Sequence, residues 1–257
     1  MKQVTASVTS NREVMPGVYL IWLESPQIAS TARPGQFVMV RCGEESLLRR
    51  PLSIHKLGKA KLALLFSVVG RGTHWLAHRQ TGDNLDLLGP LGNSYSIHPA
   101  SRNLLLVAGG IGIAPLCFLA QEALNQGCSV TLLLGAPTAT QLYPRELLSS
   151  GAELGIATED GTAGKKGMVT DLLPNFARRV DQIFACGPAL MYRDMATQSR
   201  QILEAKSVQI SLEVRMGCGL GICYGCTLRT KRGLKQVCQD GPVFELDDIF
   251  WDELAQV

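Results

Sequence analysis

Four thiols near the end of a chain of 257 residues, Cys218, Cys223, Cys226 and Cys238, follow the spacing C-x4-C-x2-C, with the fourth Cys after eleven further residues. Thiolates at this spacing are the ligand set of a [2Fe-2S] cluster, a one-electron carrier. Three ligands from one tight loop must wrap a flat, anionic cluster, and Gly217, Gly219, Gly221 and Gly225 are interleaved with them. Glycine lets the backbone turn through positive φ and bring N–H groups to the sulfurs without a side-chain clash. The fourth thiol is expected to return from a hairpin turning near Lys231, Arg232 and Gly233. Two other uses of four Cys compete with this one. Structural zinc sites pair C-x2-C with a second such pair or with His, and no His follows His98. Disulfides would need an oxidising compartment.

Further constellations have the chemistry of nucleotide binding. Arg49-Arg50-Pro51-Leu52-Ser53-Ile54 sets a cation and a hydroxyl three residues apart on an extended segment stiffened by Pro51, suited to a phosphate and the edge of a flat ring. Val69-Gly70-Arg71-Gly72-Thr73 precedes an expected helix over 73–79, whose free N–H groups would favour a diphosphate. An ordinary turn is the plain alternative. In that order the two segments suggest a flavin dinucleotide. Residues 104–115, LLLVAGGIGIAP, run apolar strand into Gly-rich turn into helix, with Pro115 expected near the first helical position. Cys186-Gly187-Pro188 follows a later strand, at the carboxyl edge where α/β folds bind ligands. A buried thiol is the plain reading of Cys186.

These motifs need elements to hold them. From 3 to about 99 the chain reads as short β-rich runs (18–23, 36–41, 62–69, 84–88) punctuated by Pro34-Gly35 and Gly89-Pro90-Leu91-Gly92, which suggests a barrel. From 102 to about 214 the pattern changes. Apolar strands at 103–108, 129–134, 182–185 and 209–213 alternate with helical stretches at 114–125 and 191–205, the mark of a parallel sheet wound with helices. The expected division is therefore a β-barrel domain over 1–100, an α/β parallel-sheet domain over 101–214 and a small β-rich cluster module over 215–257.

Composition bounds the rest. A hydrophobic share of 46% supplies packed cores, and a net charge of +3 with dispersed Lys and Arg argues against nucleic acid. Residues 103–121 carry no formal charge, but Gly109, Gly110, Gly112 and Pro115 interrupt them, so a buried strand, loop and helix is expected rather than a membrane span. No signal-peptide pattern opens the chain, and a cytoplasmic location is expected. The other cysteines, Cys42, Cys117, Cys128 and Cys186, show no regular spacing and are expected to be core or pocket thiols.

Taken in order, Arg50-Pro51-Leu52-Ser53, Gly72-Thr73, Gly109 to Pro115 and Cys186-Gly187-Pro188 resemble the ferredoxin–NADP reductase superfamily. The cysteine loop with Val237-Cys238-Gln239-Asp240-Gly241-Pro242-Val243-Phe244 narrows the likeness, over the whole chain, to the electron-transfer subunits of class 1B dihydroorotate dehydrogenases. The resemblance implies FAD in the barrel, NAD(H) in the α/β domain and a [2Fe-2S] cluster facing the FMN of a separate catalytic subunit, in a heterotetramer. It implies that Arg50, Pro51, Leu52 and Ser53 hold the flavin and its phosphates, Leu65, Phe66 and Ser67 line its ribityl side, and Gly72 and Thr73 meet the pyrophosphate. It implies that Gly109, Gly110, Ile111, Gly112, Ala114 and Pro115, with Cys186, Gly187 and Pro188, flank the nicotinamide, and that the four late cysteines bind iron. No acid or base is assigned, because hydride transfer needs none. Related NAD(P)H-linked reductase subunits serving ferredoxin, sulfide or hydrogenase partners share these motifs.

The choice of nicotinamide has its own argument. NADP-using relatives place Ser-Arg after the strand that here ends Ala157-Thr158-Glu159-Asp160-Gly161. A carboxylate there repels a 2′-phosphate and can accept from a ribose hydroxyl, which favours NAD, although Lys165 and Lys166 lie close by.

Overall fold

The computed structural model describes residues 1–44, 47–198 and 206–254. Six antiparallel strands close a barrel: β1 (Lys2–Met15), β2 (Val18–Glu24), β3 (Phe37–Val40), β4 (Arg50–Leu57), β5 (Lys61–Ser67) and β6 (Asn84–Leu91), in spatial order β1-β2-β5-β4-β3-β6. Alternation along β6 puts Leu85, Leu87 and Leu91 inside, which is the period of two that a half-buried strand requires. Gly89-Pro90, expected to punctuate, instead lies within β6. The expected helix over 73–79 starts two residues earlier, at Arg71–Ala77.

The barrel geometry opens at one place. Pairing between β4 and β5 is confined to Ile54↔Leu64, Lys56↔Ala63 and Leu57↔Leu62, with a register shift around His55. Arg50 to Ser53 pair with β3 on their other side, and Leu65 to Ser67 pair with β2. The two strands therefore part beyond Ile54. The backbone edge of residues 50–53 is left without a β5 neighbour, so its N–H and C=O groups face a gap.

A second sheet of seven strands follows: β7 (Asn103–Gly109), β8 (Ser129–Ala136), β9 (Glu153–Thr158), β10 (Lys165–Lys166), β11 (Gln182–Cys186), β12 (Val208–Ser211) and, after a two-stranded hairpin of β13 (Thr227–Thr230) and β14 (Gly233–Gln236), β15 (Val243–Glu245). Its order is β10-β9-β8-β7-β11-β12-β15, all neighbours parallel except β12 and β15. Central strands covered on both faces read as unbroken apolar runs, as Leu104 to Ala108 do, all fully buried. The helix Ile113–Asn125 covers one face, and Pro115 sits at its third residue rather than its first. Helix Ala189–Gln198 starts two residues ahead of the expected 191, and the remainder of the expected stretch, 199–205, lies outside the described residues.

The cysteine segment is not free-standing. Its strand β15 completes the large sheet, and its Met216, Cys226, Val237 and Cys238 share one buried cluster with Phe37, Met39 and Leu91 of the barrel and Leu105, Val107 and Ile183 of the sheet. Asn93 Nδ2 donates to Asp240 O and Val243 O at 2.9 and 2.8 Å, tying the end of the barrel to the same segment. Among the described residues, no helix is long and apolar enough to cross a membrane.

Candidate functional site

The gap between β4 and β5 is one wall of a cavity of about 1360 Å³, above the roughly 300–1,000 Å³ of an ordinary small-ligand pocket. Arg50, Pro51, Leu52, Ser53, Leu65, Phe66, Ser67 and Thr73 line it from the barrel, and Gly109, Gly110, Ile111, Ala114, Gly187 and Pro188 from the carboxyl ends of β7 and β11. Four other expected contacts are not on that wall. Gly72 lies behind it, where a Cβ would stand 2.9 Å from Arg50 Nε, so it makes room for the arginine. A Cβ on Gly112 would stand 2.0 Å from Cys186 O, so this glycine lets two loops touch. Pro115 is buried in its helix, and Cys186 is buried with Sγ 3.7 Å from Ser211 O, where burial pushes the thiol up.

Charge and hydrogen bonding distinguish the wall residues. Arg49 is committed to Asp86, with Nη2 2.6 Å from Oδ2 and Nη1 3.1 Å from the backbone oxygen. Arg50 donates to Leu48 O at 2.7 Å and, among the described residues, pairs with no carboxylate, so its charge is open to an anionic ligand. Thr73 Oγ1 accepts from Val69 N at 2.9 Å and Gly70 N at 3.2 Å and donates to Gly70 O, which fixes the turn beneath the expected diphosphate position.

His55 escaped the sequence reasoning although it follows the Arg-Pro-Leu-Ser motif by two residues. The register shift turns it inward, fully buried, with Nδ1 2.9 Å from Ala114 O and Nε2 2.8 Å from Tyr143 Oη. A carbonyl can only accept, so Nδ1 carries the proton and the Tyr143 hydroxyl donates to Nε2. Burial depresses this imidazole to about 3. His55 thus fastens β4 to the start of the helix Ile113–Asn125. Glu213, also missed, lines the cavity five residues before Cys218. No spacing marks it in the sequence.

The cysteine loop has the features the glycines were expected to supply, at some positions. Gly219 and Gly221 take φ of 73° and 74°, and so does a residue with a side chain, Tyr224, at 58°. Leu220 N lies 3.3 Å from Cys218 Sγ, Gly221 N 3.2 Å from Cys238 Sγ and Cys238 N 3.4 Å from Cys226 Sγ. Backbone donors aimed at sulfur favour the thiolate that iron requires. At Cys218 burial works against this, but the N–H groups of Leu220, Cys223 and Ile222 outweigh it and hold the thiol low. Cys238 is held up by burial and by Cys226. Cys218 interacts with Cys223, and Cys238 with Cys226 and Cys218, which links the four thiols of the loop. A [2Fe-2S] cluster takes four such thiolates. Among the described residues, no three His, Cys, Asp or Glu side chains converge as ligands of one ion. Met216, two residues before Cys218, lines the same cavity, so the loop begins at its wall.

At the far end, Glu159 lies on the cavity wall. Asp160 accepts from Thr162 N at 2.9 Å and Thr162 Oγ1 at 2.6 Å, which holds its carboxyl low. Lys166 packs over Gly161, where a Cβ would stand 3.0 Å from the lysine Cβ, and Lys165 Nζ donates to Asp171 O at 2.8 Å.

Comparison with known proteins agrees with this arrangement. The iron–sulfur cluster binding domain of dihydroorotate dehydrogenase B matches residues 213–250. The electron-transfer subunit of dihydroorotate dehydrogenase B (NAD+) from Desulforamulus reducens is 40% identical, covering 98% of this chain and 99% of that protein. Its counterpart from Bacillus caldolyticus is 37% identical over 95% and 96%. Among solved structures, an NADH-dependent reduced ferredoxin–NADP oxidoreductase studied for flavin-based electron bifurcation superposes with a TM-score of 0.89 at 33% identity, over 98% of this chain and 91% of the other. The ferredoxin reductase of carbazole 1,9a-dioxygenase shares the fold, with a TM-score of 0.69 at 19% identity over 81% and 68%. With relatives this similar from end to end, a barrel that opens onto the loops of a parallel sheet, and four thiols on a loop that follows the cavity-lining Met216, the chain belongs to the electron-transfer subunit family of dihydroorotate dehydrogenase B, within the ferredoxin–NADP reductase fold.

Proposed function

We propose that this chain carries electrons from the FMN of a dihydroorotate dehydrogenase catalytic subunit to NAD+, in a cytoplasmic heterotetramer of pyrimidine biosynthesis. The single observation that carries the proposal is one continuous cavity, lined by Glu159, by Gly109, Gly110, Gly187 and Pro188, by Arg50 to Ser53 and by Met216, two residues before Cys218. Bound FAD and a [2Fe-2S] cluster would supply the exchange between two-electron hydride transfer and single-electron steps.

The chain's own residues do the positioning. Arg50 to Ser53 offer an unpaired strand edge and a cation to the flavin and its phosphates, and Leu65, Phe66 and Ser67 cover its side. Thr73 orders the turn at the diphosphate. Gly109, Gly110, Ile111 and Ala114 with Gly187 and Pro188 offer a nicotinamide a surface with little side-chain bulk, and Gly112 with Cys186 and Pro115 hold that surface from behind. Glu159 favours NAD over NADP. Cys218, Cys223, Cys226 and Cys238 would ligate iron. Residues 1–100, 101–214 and 215–257 serve as flavin, nicotinamide and cluster segments. The exposed Ile222, Tyr224 and Leu234 around Cys223 form the face offered to the catalytic subunit.

The likeness to the NADH-dependent ferredoxin–NADP oxidoreductase favours a second reading, a nicotinamide-linked reductase subunit serving ferredoxin. Dihydroorotate-dependent NAD+ reduction by the purified complex separates the two. The proposal expects turnover that is lost in Cys223→Ser, with iron lost and FAD retained. Native-rate turnover in that variant, or none in the native complex, overturns it.

A further inference from the structure

The segment leading to Cys238 contains a buried donor with no partner among the described residues. Gln236 ends β14, facing Thr227 across the hairpin, and its backbone N–H donates to Asp240 Oδ2 at 2.7 Å. Its side-chain Nε2 is buried and, among the described residues, makes no hydrogen bond. Buried amide groups are almost always satisfied, so an unmet one points to an acceptor belonging to the site it faces.

The site beside this amide is the thiol loop. Gln236 Oε1 lies 2.9 Å from the place a Cβ on Gly221 would occupy, and Gly221 N is itself 3.2 Å from Cys238 Sγ. Two residues on from Gln236, the chain supplies Cys238, whose N–H lies 3.4 Å from Cys226 Sγ. The amide is thus packed against the backbone that cradles the Cys226 and Cys238 pair. The other donors aimed at these sulfurs are backbone N–H groups. Gln236 is a side chain beside that shell, so substitution changes the side-chain amide without changing the backbone donors.

We infer that Gln236 Nε2 donates a hydrogen bond to a sulfur of the [2Fe-2S] cluster, a ligand thiolate or bridging sulfide on the Cys226–Cys238 side, and so raises the cluster's reduction potential. The inference rests on the iron–sulfur reading above. Reduction adds one electron to the cluster and increases negative charge on its sulfurs. A donor hydrogen bond therefore strengthens in the reduced state and favours it. Gln236 is a positioning and tuning residue and touches no substrate.

The test is an EPR-monitored redox titration of the holoprotein in its complex, comparing the native chain with Gln236→Leu, Gln236→Glu and Gln236→Lys, with iron and FAD quantified. Gln236→Leu should shift the one-electron equilibrium about tenfold toward the oxidised cluster, which is about 59 mV lower. Gln236→Glu should fall further, Gln236→Lys should not fall, and the FAD potential should stay put. A Gln236→Leu protein with full iron and the native potential overturns the inference. If the substituted chains lose iron, pulsed EPR on reduced protein labelled with side-chain ¹⁵N glutamine decides, in a Gln239→Ala background that removes the neighbouring exposed amide. Coupling to ¹⁵N supports the inference, and its absence overturns it. A native protein without iron or an EPR signal would instead remove the iron–sulfur reading.

Discussion

Acidification should weaken this protein through one buried imidazole. His55 is fully buried between Ala114 O and Tyr143 Oη, and burial depresses it from an ordinary 6.5 to about 3. The folded-state value lies below the unfolded one, so the stability this group contributes is fully present above pH 6.5. It is lost as pH falls toward 3, where only the unfolded chain binds the proton. Each pH unit in that window costs about 1.36 kcal/mol, so going from pH 6.5 to 5 costs about 2 kcal/mol. For a chain of this size that corresponds to a fall in Tm of about 4–8 °C. His55→Gln keeps an amide donor for Ala114 O and an acceptor for Tyr143 without titrating. Thermal unfolding of the two holoproteins at pH 7 and pH 5 isolates the effect, because every other group is shared. The native Tm should fall by that margin more than the variant's. Parallel falls would refute the claim that His55 is held neutral as the fastener between the flavin-side strand and the Ala114 turn.

Other consequences can be checked separately. Arg50→Ala removes a cation that no carboxylate among the described residues neutralises, and FAD release measured by flavin fluorescence should show affinity lower by about tenfold to a hundredfold, with the fold intact by circular dichroism. Gly112→Ala drives a Cβ to 2.0 Å from Cys186 O, so Tm should drop by the equivalent of about 1–3 kcal/mol or more; an unchanged Tm would contradict the close approach of the two loops. Glu159→Arg should turn the ratio of kcat/KM for NAD+ over NADP+ toward NADP+ by about tenfold, as a repulsive charge becomes an attractive one.

The chemistry of this chain was more legible in its sequence than the geometry that presents it. The cysteine spacing marks a ligand set, and the order of the Arg-Pro-Leu-Ser, Gly-Thr and Gly-rich segments marks surfaces that the fold brings to one cavity. What spacing cannot separate is a glycine that makes room for a ligand from one that makes room for the protein. Gly110 and Gly112 read alike, yet Gly110 is on the wall and Gly112 is spent on Cys186 O. The parting of β4 from β5 was also hidden, because it is a property of register between two strands that each look ordinary. His55 and Gln236 escaped for a related reason. Their neighbours, Ala114 with Tyr143 and Gly221, are remote in sequence, and only folding gives a buried polar group its partner or leaves it without one. The edge strand β15 was missed because three residues carry too little pattern to announce a strand.

The most direct test of the central claim is an anaerobic reaction of the isolated holoprotein with NADH, followed by rapid freezing and EPR alongside the flavin absorbance. The account predicts that the flavin bleaches and a reduced [2Fe-2S] signal then grows, and that Cys223→Ser still bleaches the flavin but gives no such signal. A native protein whose flavin is reduced by NADH while its cluster stays oxidised would contradict it.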